Sequence, residues 1–104
     1  MSPYCIAMTT VGNGEDADKI IRAVLERKLA ACVQTVDIGS HYTWKGEVCH
    51  EREILVLFKT TWALYDGLEA AIKEWHPYET PEIIAVDIAK GFKGYLDWID
   101  AVTR

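Results

Sequence analysis

Apolar positions along the chain follow two different spacings, and the places where the spacing changes divide it into elements. Residues 3–10 are nearly continuously apolar and read as a short strand that Gly12-Asn13-Gly14 breaks. Asn13 can cap a helix, and Ala17, Ile20, Ile21, Val24 and Leu25 then fall on one helical stripe. From Cys32 the period shortens: Val36, Ile38, Tyr42 and Trp44 lie on one face of an extended strand that ends at the turn Lys45-Gly46. A second long strand covers residues 47–59, polar at first and then solidly apolar from Ile54 to Phe58. Thr60 or Thr61 is placed to cap the next helix. Its stripe of Leu64, Leu68, Ala71, Ile72 and Trp75 stops where Pro77 disfavours helical geometry at His76. Residues 82–88 read as a strand, and Gly91 to Gly94 lead into a short final helix carrying Tyr95, Trp98, Ile99 and Val102.

The string is β-α-β-β-α-β plus a terminal helix, which predicts an α+β fold of the ferredoxin-like, split βαβ kind. Residues 1–104 are expected to form a single domain, since a chain of this length can bury one core without disulfides or metals. One feature does not fit inside such a domain. The strand from Cys32 to Trp44 has thirteen residues, and at ~3.3 Å per residue it spans ~43 Å. A domain of this size has a diameter of roughly 33 Å. Unless the chain bends near Gly39, the hairpin tip overhangs, carrying Tyr42 and Trp44 beyond the core beside unpaired strand edges. Another chain is expected to cover it, so the pattern predicts an oligomer.

Composition removes several function classes. The chain is 50% hydrophobic and 26% charged, with no apolar run near the ~18 to 20 residues of a membrane span. Residues 1–8 lack the basic start and small-residue cleavage site of a secretory signal, so the expected location is cytoplasmic. The net charge is -5, and Lys19, Arg22, Arg27 and Lys28 alternate with acids, a poor basis for binding nucleic acid and a field that favours cations over anions. Cys5, Cys32 and Cys49 form no CxxC pair; Cys5 and Cys32 read as small buried hydrophobes. With no Gly-rich phosphate loop, no GxSxG elbow and no HExxH helix, the chain does not read as an enzyme.

Two places carry candidate metal chemistry. The stretch EWHPYETPEII at 74–84 reads first as an elbow, in which Pro77 stops a helix, Pro81 aligns a strand and Glu82 caps backbone donors. Its second reading is a weak metal locus in which Glu82 accompanies His76. The other place is the hairpin. If Lys45-Gly46 is a two-residue loop, Trp44 faces Glu47, Tyr42 faces Cys49 and His41 faces His50. Cross-strand partners have Cβ atoms ~4.5 to 5.5 Å apart, close enough for two imidazoles to chelate a divalent cation with a third ligand from an adjoining chain. A bulge at the turn would separate them, leaving a solvated face.

The chain resembles the CutA family of divalent-cation tolerance proteins. The resemblance runs from about Tyr4 to Val102 and rests on ERKLAACV at 26–33, YTWKG at 42–46, KTT at 59–61, HPYETPEII at 76–84 and YLDWI at 95–99. It implies a ferredoxin-like subunit in a tight homotrimer whose long hairpins pair between neighbours. It also implies a role in tolerance of copper and other divalent cations, with a copper site built from a cysteine near the first strand and two adjacent histidines. Thr9, or Met8 under a gapped alignment, stands at that cysteine and Trp75 at the first histidine, so His76 remains with Glu82 beside it. The expected ligand is Cu(II) or another divalent cation, weakly bound. Two other readings stay open: a trimeric sensor holding a nucleotide or small metabolite in clefts between subunits, hinted at by Lys90-Gly91-Phe92-Lys93-Gly94, and a scaffold that presents surfaces to a partner.

Overall fold

The computed structural model describes all residues, Met1–Arg104. Its elements are β1 (Tyr4–Val11), α1 (Gly14–Glu26), β2 (Cys32–Trp44), β3 (Glu47–Thr61), a 3-10 turn (Trp62–Leu64), α2 (Tyr65–Trp75), β4 (Ile83–Asp87) and α3 (Lys93–Val102). The strands make one antiparallel sheet in the order β2-β3-β1-β4, the ferredoxin-like arrangement.

Local chemistry explains most of the boundaries. Asn13 is extended, and its side-chain oxygen accepts from the Asp16 backbone N–H at 2.9 Å, starting α1. The helix ends in a Schellman pair, Lys28 N–H to Leu25 C=O and Leu29 N–H to Val24 C=O, with Lys28 in the left-handed region at φ 56°. At the end of α2 the His76 N–H still reaches Ile72 C=O at 2.9 Å, but Pro77 holds His76 extended at ψ 130°.

The start of α2 differs from the expectation. Thr60 and Thr61 cap nothing; they prolong β3, because β1 pairs with it as far as Tyr4↔Thr61. The Thr60 hydroxyl donates instead to Leu29 C=O at 2.7 Å, and the helix begins only after the 3-10 turn. Along the ladder every second residue exchanges both of its backbone groups with the partner strand, whereas a cap would satisfy one donor, so pairing prevails.

The helices α1 and α2 cover one face of the sheet. There Ala7, Val11, Val56 and Phe58 pack against Ile20, Val24, Leu68 and Ile72, all nearly or wholly buried. The opposite face carries Ile6, Met8, Leu55 and Leu57, alternating with the core residues along β1 and β3. Of the helices, α3 lies over it, near Lys59, whose Nζ sits 5.9 Å from the Tyr95 ring centroid. Val36 on β2 and Ile84 and Val86 on β4 remain about half exposed on that face.

The hairpin does not bend at Gly39. Pairing is continuous from Cys32↔Lys59 to Trp44↔Glu47, and the molecule measures 44 × 26 × 22 Å. Since β1 reaches only Val11↔Ile54, every pair from Ile38↔Glu53 outward has no third strand beside it. The connection is a two-residue turn with Lys45 at φ 50° and Gly46 at φ 80°, the left-handed pair whose twist suits a hairpin. A side chain at the second position strains that turn. Gly46→Val is therefore expected to lower stability by about 1–2 kcal/mol, measured by urea denaturation; an unchanged midpoint would place the turn's left-handed geometry elsewhere.

Candidate functional site

The loop after α2 is held by its histidine. His76 Nε2–H donates to Thr10 C=O at 2.7 Å, and His76 Nδ1 accepts from the Tyr78 N–H at 3.1 Å. Both ring nitrogens are thereby occupied, in the neutral Nε2–H tautomer, so the side chain is a strut between β1 and the loop and has no free lone pair for a metal. This strengthens the elbow reading of EWHPYETPEII over its metal reading. Thr9 is fully buried on the core face and its hydroxyl has no hydrogen-bond partner. Trp75 is half exposed.

The hairpin register is the one the two-residue turn implies: His41↔His50, Tyr42↔Cys49 and Trp44↔Glu47 are direct partners. The His41 and His50 rings stack with centroids 4.1 Å apart and planes 8° from parallel. In that stack the nitrogen lone pairs lie in parallel planes, so the rings must swivel before both can reach one ion. Glu82 is exposed and lines a cavity of about 470 Å³ that it shares with His41. Nowhere do three His, Cys, Asp or Glu side chains already converge as a metal site.

A contact the sequence did not disclose lies where β1 runs out. The Tyr78 hydroxyl donates to Glu53 Oε2 at 2.7 Å. Glu53 is only 8% exposed, although it sits just beyond the end of the three-stranded region. The glutamate directly before the apolar run Ile54 to Phe58 was the available signal, but its burial depends on a tyrosine that arrives from another part of the chain. Burial first, and then the bond to Glu53, hold the Tyr78 phenol well above its ordinary range. Tyr42 is raised as well, by burial and by Glu51.

The other candidates are structural. Cys5 is buried and its thiol is pushed up to about 11, first by burial and then by Asp87, which makes it unreactive. Cys32 is only half buried, unlike the expectation, because it lies on the face opposite the main core, beside Tyr95. The Gly-rich turn before α3 is filled: a Cβ at Gly94 would come 2.7 Å from the Phe92 ring and one at Gly91 3.0 Å from Leu96. These glycines admit neighbouring side chains, and neither has the left-handed conformation of a phosphate cradle.

The sequence profile of the CutA1 divalent ion tolerance protein family matches residues 5–102. The chain belongs to the CutA family. It is 43% identical over 95 residues to the divalent-cation tolerance protein CutA of Thermus thermophilus, covering 90% of this chain and 92% of that one. It is 40% identical over 99 residues to mouse Protein CutA, covering 94% of this chain and 56% of the mouse protein, about half its length. Among solved structures, the periplasmic divalent cation tolerance protein CutA from Archaeoglobus fulgidus superposes with a TM-score of 0.94 at 34% identity, covering 97% of this chain and 99% of that one. CutA from Xylella fastidiosa gives 0.95 at 31% identity, covering 99% and 100%. The CutA likeness thus extends over the overhanging hairpin as well as the core.

Because the raised Tyr78 pKa means that the folded state holds the phenol proton more tightly than the unfolded chain, its contribution is fully present below pH ~10 and is lost as pH rises from there. Tyr78→Phe is expected to lower stability near neutrality by about 1–3 kcal/mol, through the unpaired Glu53. It should also flatten the fall in stability above pH ~10. Urea midpoints across that pH range check both, and a parallel offset with no change of slope would assign the alkaline loss to other tyrosines.

Proposed function

We propose that this chain works as a homotrimer in divalent-cation tolerance, binding Cu(II) or a similar cation weakly rather than catalysing a reaction. The observation that carries the trimer is the sheet face left open beside α3. Val36, Ile84 and Val86 expose apolar surface there, next to unpaired edges of β2 and β4, while the hairpin projects past its own core. A neighbour that pairs with the hairpin edge and lays its own sheet against this face answers both needs at once, and three such contacts close a ring. The link to divalent cations comes from the names of the CutA relatives.

For the cation itself, His41 and His50 are the best-placed ligands, with Glu82 across the shared cavity as a carboxylate neighbour. Two imidazoles and one carboxylate suit copper or zinc, and the need to open the stack keeps affinity low. His76, tied at both nitrogens, contributes through the fold. Cytoplasmic location belongs to this reading too.

Sedimentation equilibrium at micromolar concentration is expected to give three times the protomer mass. Val86→Glu, which sets a charge in the open face, should shift it toward the monomer; a monomeric parent overturns the assembly. In copper and zinc titrations of the tag-free protein, the His41→Ala/His50→Ala double variant should lose about tenfold or more in affinity, as expected when imidazole ligands are removed. His76→Ala should bind as the parent does but unfold more easily. Loss of metal in His76→Ala alone would move the site to the loop.

A further inference from the structure

One dipeptide carries covalent chemistry that neither the assembly nor the metal site uses. Asn13 is followed by Gly14 where β1 passes into α1. A glycine after asparagine leaves its own backbone nitrogen unhindered by any side chain, and that nitrogen can attack the asparagine Cγ. Gly14 opens the helix, so its N–H has no intrahelical acceptor to hold the proton in place. Residues 12–15 are all exposed, and they lead into a helix that covers the sheet face opposite the one a neighbour would bury.

The amide is held at both ends by one residue. Asn13 Oδ1 accepts from the Asp16 N–H at 2.9 Å, and Asn13 Nδ2 donates to Asp16 Oδ2 at 3.1 Å. In this state the side chain points along the helix, and bringing Cγ onto the Gly14 nitrogen requires both bonds to break. That opening is local. No residue of α1 before Ala17 is buried, so the first turn can fray while the rest of the molecule stays folded. Just before the cap, Gly12 lies under the Tyr78 hydroxyl that bonds Glu53: a Cβ at Gly12 would sit 3.4 Å from that oxygen.

We propose that Asn13 is a deamidation site gated by its own cap. The deprotonated Gly14 nitrogen forms a bond to Cγ and closes a five-membered succinimide, while the Cγ–Nδ2 bond breaks and ammonia leaves with the proton that Gly14 gave up. Water then opens either carbonyl of the ring. Opening at Cγ gives aspartate, and opening at the backbone carbonyl gives isoaspartate, with the chain routed through the former side chain. One water enters and one ammonia departs, with no oxidant or reductant. Aspartate is still a good cap, but it sets a carboxylate against Asp16. Isoaspartate lengthens the backbone by a methylene, dislodges the cap and, through Gly12, disturbs the seat of Tyr78 on Glu53.

Peptide mapping of the folded full chain, aged at mildly alkaline pH beside a urea-unfolded sample, tests this. Asn13 should convert in the folded chain, more slowly than in urea and faster as pH rises, because attack needs the Gly14 nitrogen deprotonated. Asp16→Ala, which frees Nδ2, should speed conversion of the folded chain about threefold or more, the loss of one hydrogen bond. Gly14→Ala should slow it about tenfold; a Cβ there meets nothing within 4 Å, so the fold accommodates it. The isoaspartyl fraction, separated by ion exchange, should unfold at lower urea than the parent, with Asn13→Asp showing the effect of the charge alone. Unconverted Asn13 in the folded chain while the unfolded sample reacts would overturn the site, and equal rates in Asp16→Ala and parent would overturn the gating. An isoaspartyl fraction with the parent's urea midpoint would overturn the link to Tyr78.

Discussion

The structure depends on one mismatch of length. β3 has fifteen residues and pairs with β2 along the whole hairpin, but β1 accompanies it only to Val11↔Ile54. Up to that point the strand lies in a sheet with helices over one face and buries Val56, Phe58 and Thr60 completely. Past it the same strand is half of a two-stranded ribbon, and such a ribbon is marginally stable in water without something packed against it. The loop after α2 supplies part of what is missing. His76 fastens it to the Thr10 carbonyl of β1, and Tyr78 reaches over to Glu53 where the third strand stops. The elbow of the chain and the root of the hairpin are therefore one structural unit.

What could be read from the sequence was whatever short-range chemistry decides. Asn13 caps the helix it precedes, Pro77 ends the helix it follows, and the period-two pattern from Val36 to Trp44 with a Lys-Gly turn yields the register found. The overhang followed from counting residues. The misreadings share a cause: each depends on a partner far along the chain. Thr60 and Thr61 resemble caps until Tyr4 is seen pairing beside them, and Cys32 resembles a core residue until α3 proves to lie on the opposite face. His76 resembles a ligand because a sequence shows the imidazole but not the Thr10 carbonyl and Tyr78 amide that saturate it. Which cavity walls Tyr42 and Glu51 form was beyond reach for the same reason.

Strand alternation assigns separate chemistries to the two faces of the hairpin tip. Imidazoles stand on one side, and aromatic rings with carboxylates on the other, in the order His41, Tyr42 along β2 and Cys49, His50 along β3. A slip of one residue in pairing would interchange the sides, bringing histidines against Tyr78 and turning Glu53 out to water. The left-handed turn at Lys45 and Gly46, which fixes the register from the distal end, thus governs which groups meet some distance away at the root.

That turn also bears on the route by which the chain folds. The hairpin joins residues adjacent in sequence and can close outward from Lys45-Gly46 without waiting for anything else, whereas β1 must find Thr61 on one flank and Asp87 on the other, partners from opposite parts of the chain. Local pairing is quick and distant pairing slow, so the hairpin is expected to precede the central strand. In the interval it presents Leu55, Val56, Leu57 and Phe58 in a row with a bare edge, which is the pattern that recruits other chains. The polar outer half of β3, with His50, Glu51, Arg52 and Glu53 directly before that row, then acts as a charged guard on a nascent chain as well as a wall of the finished one.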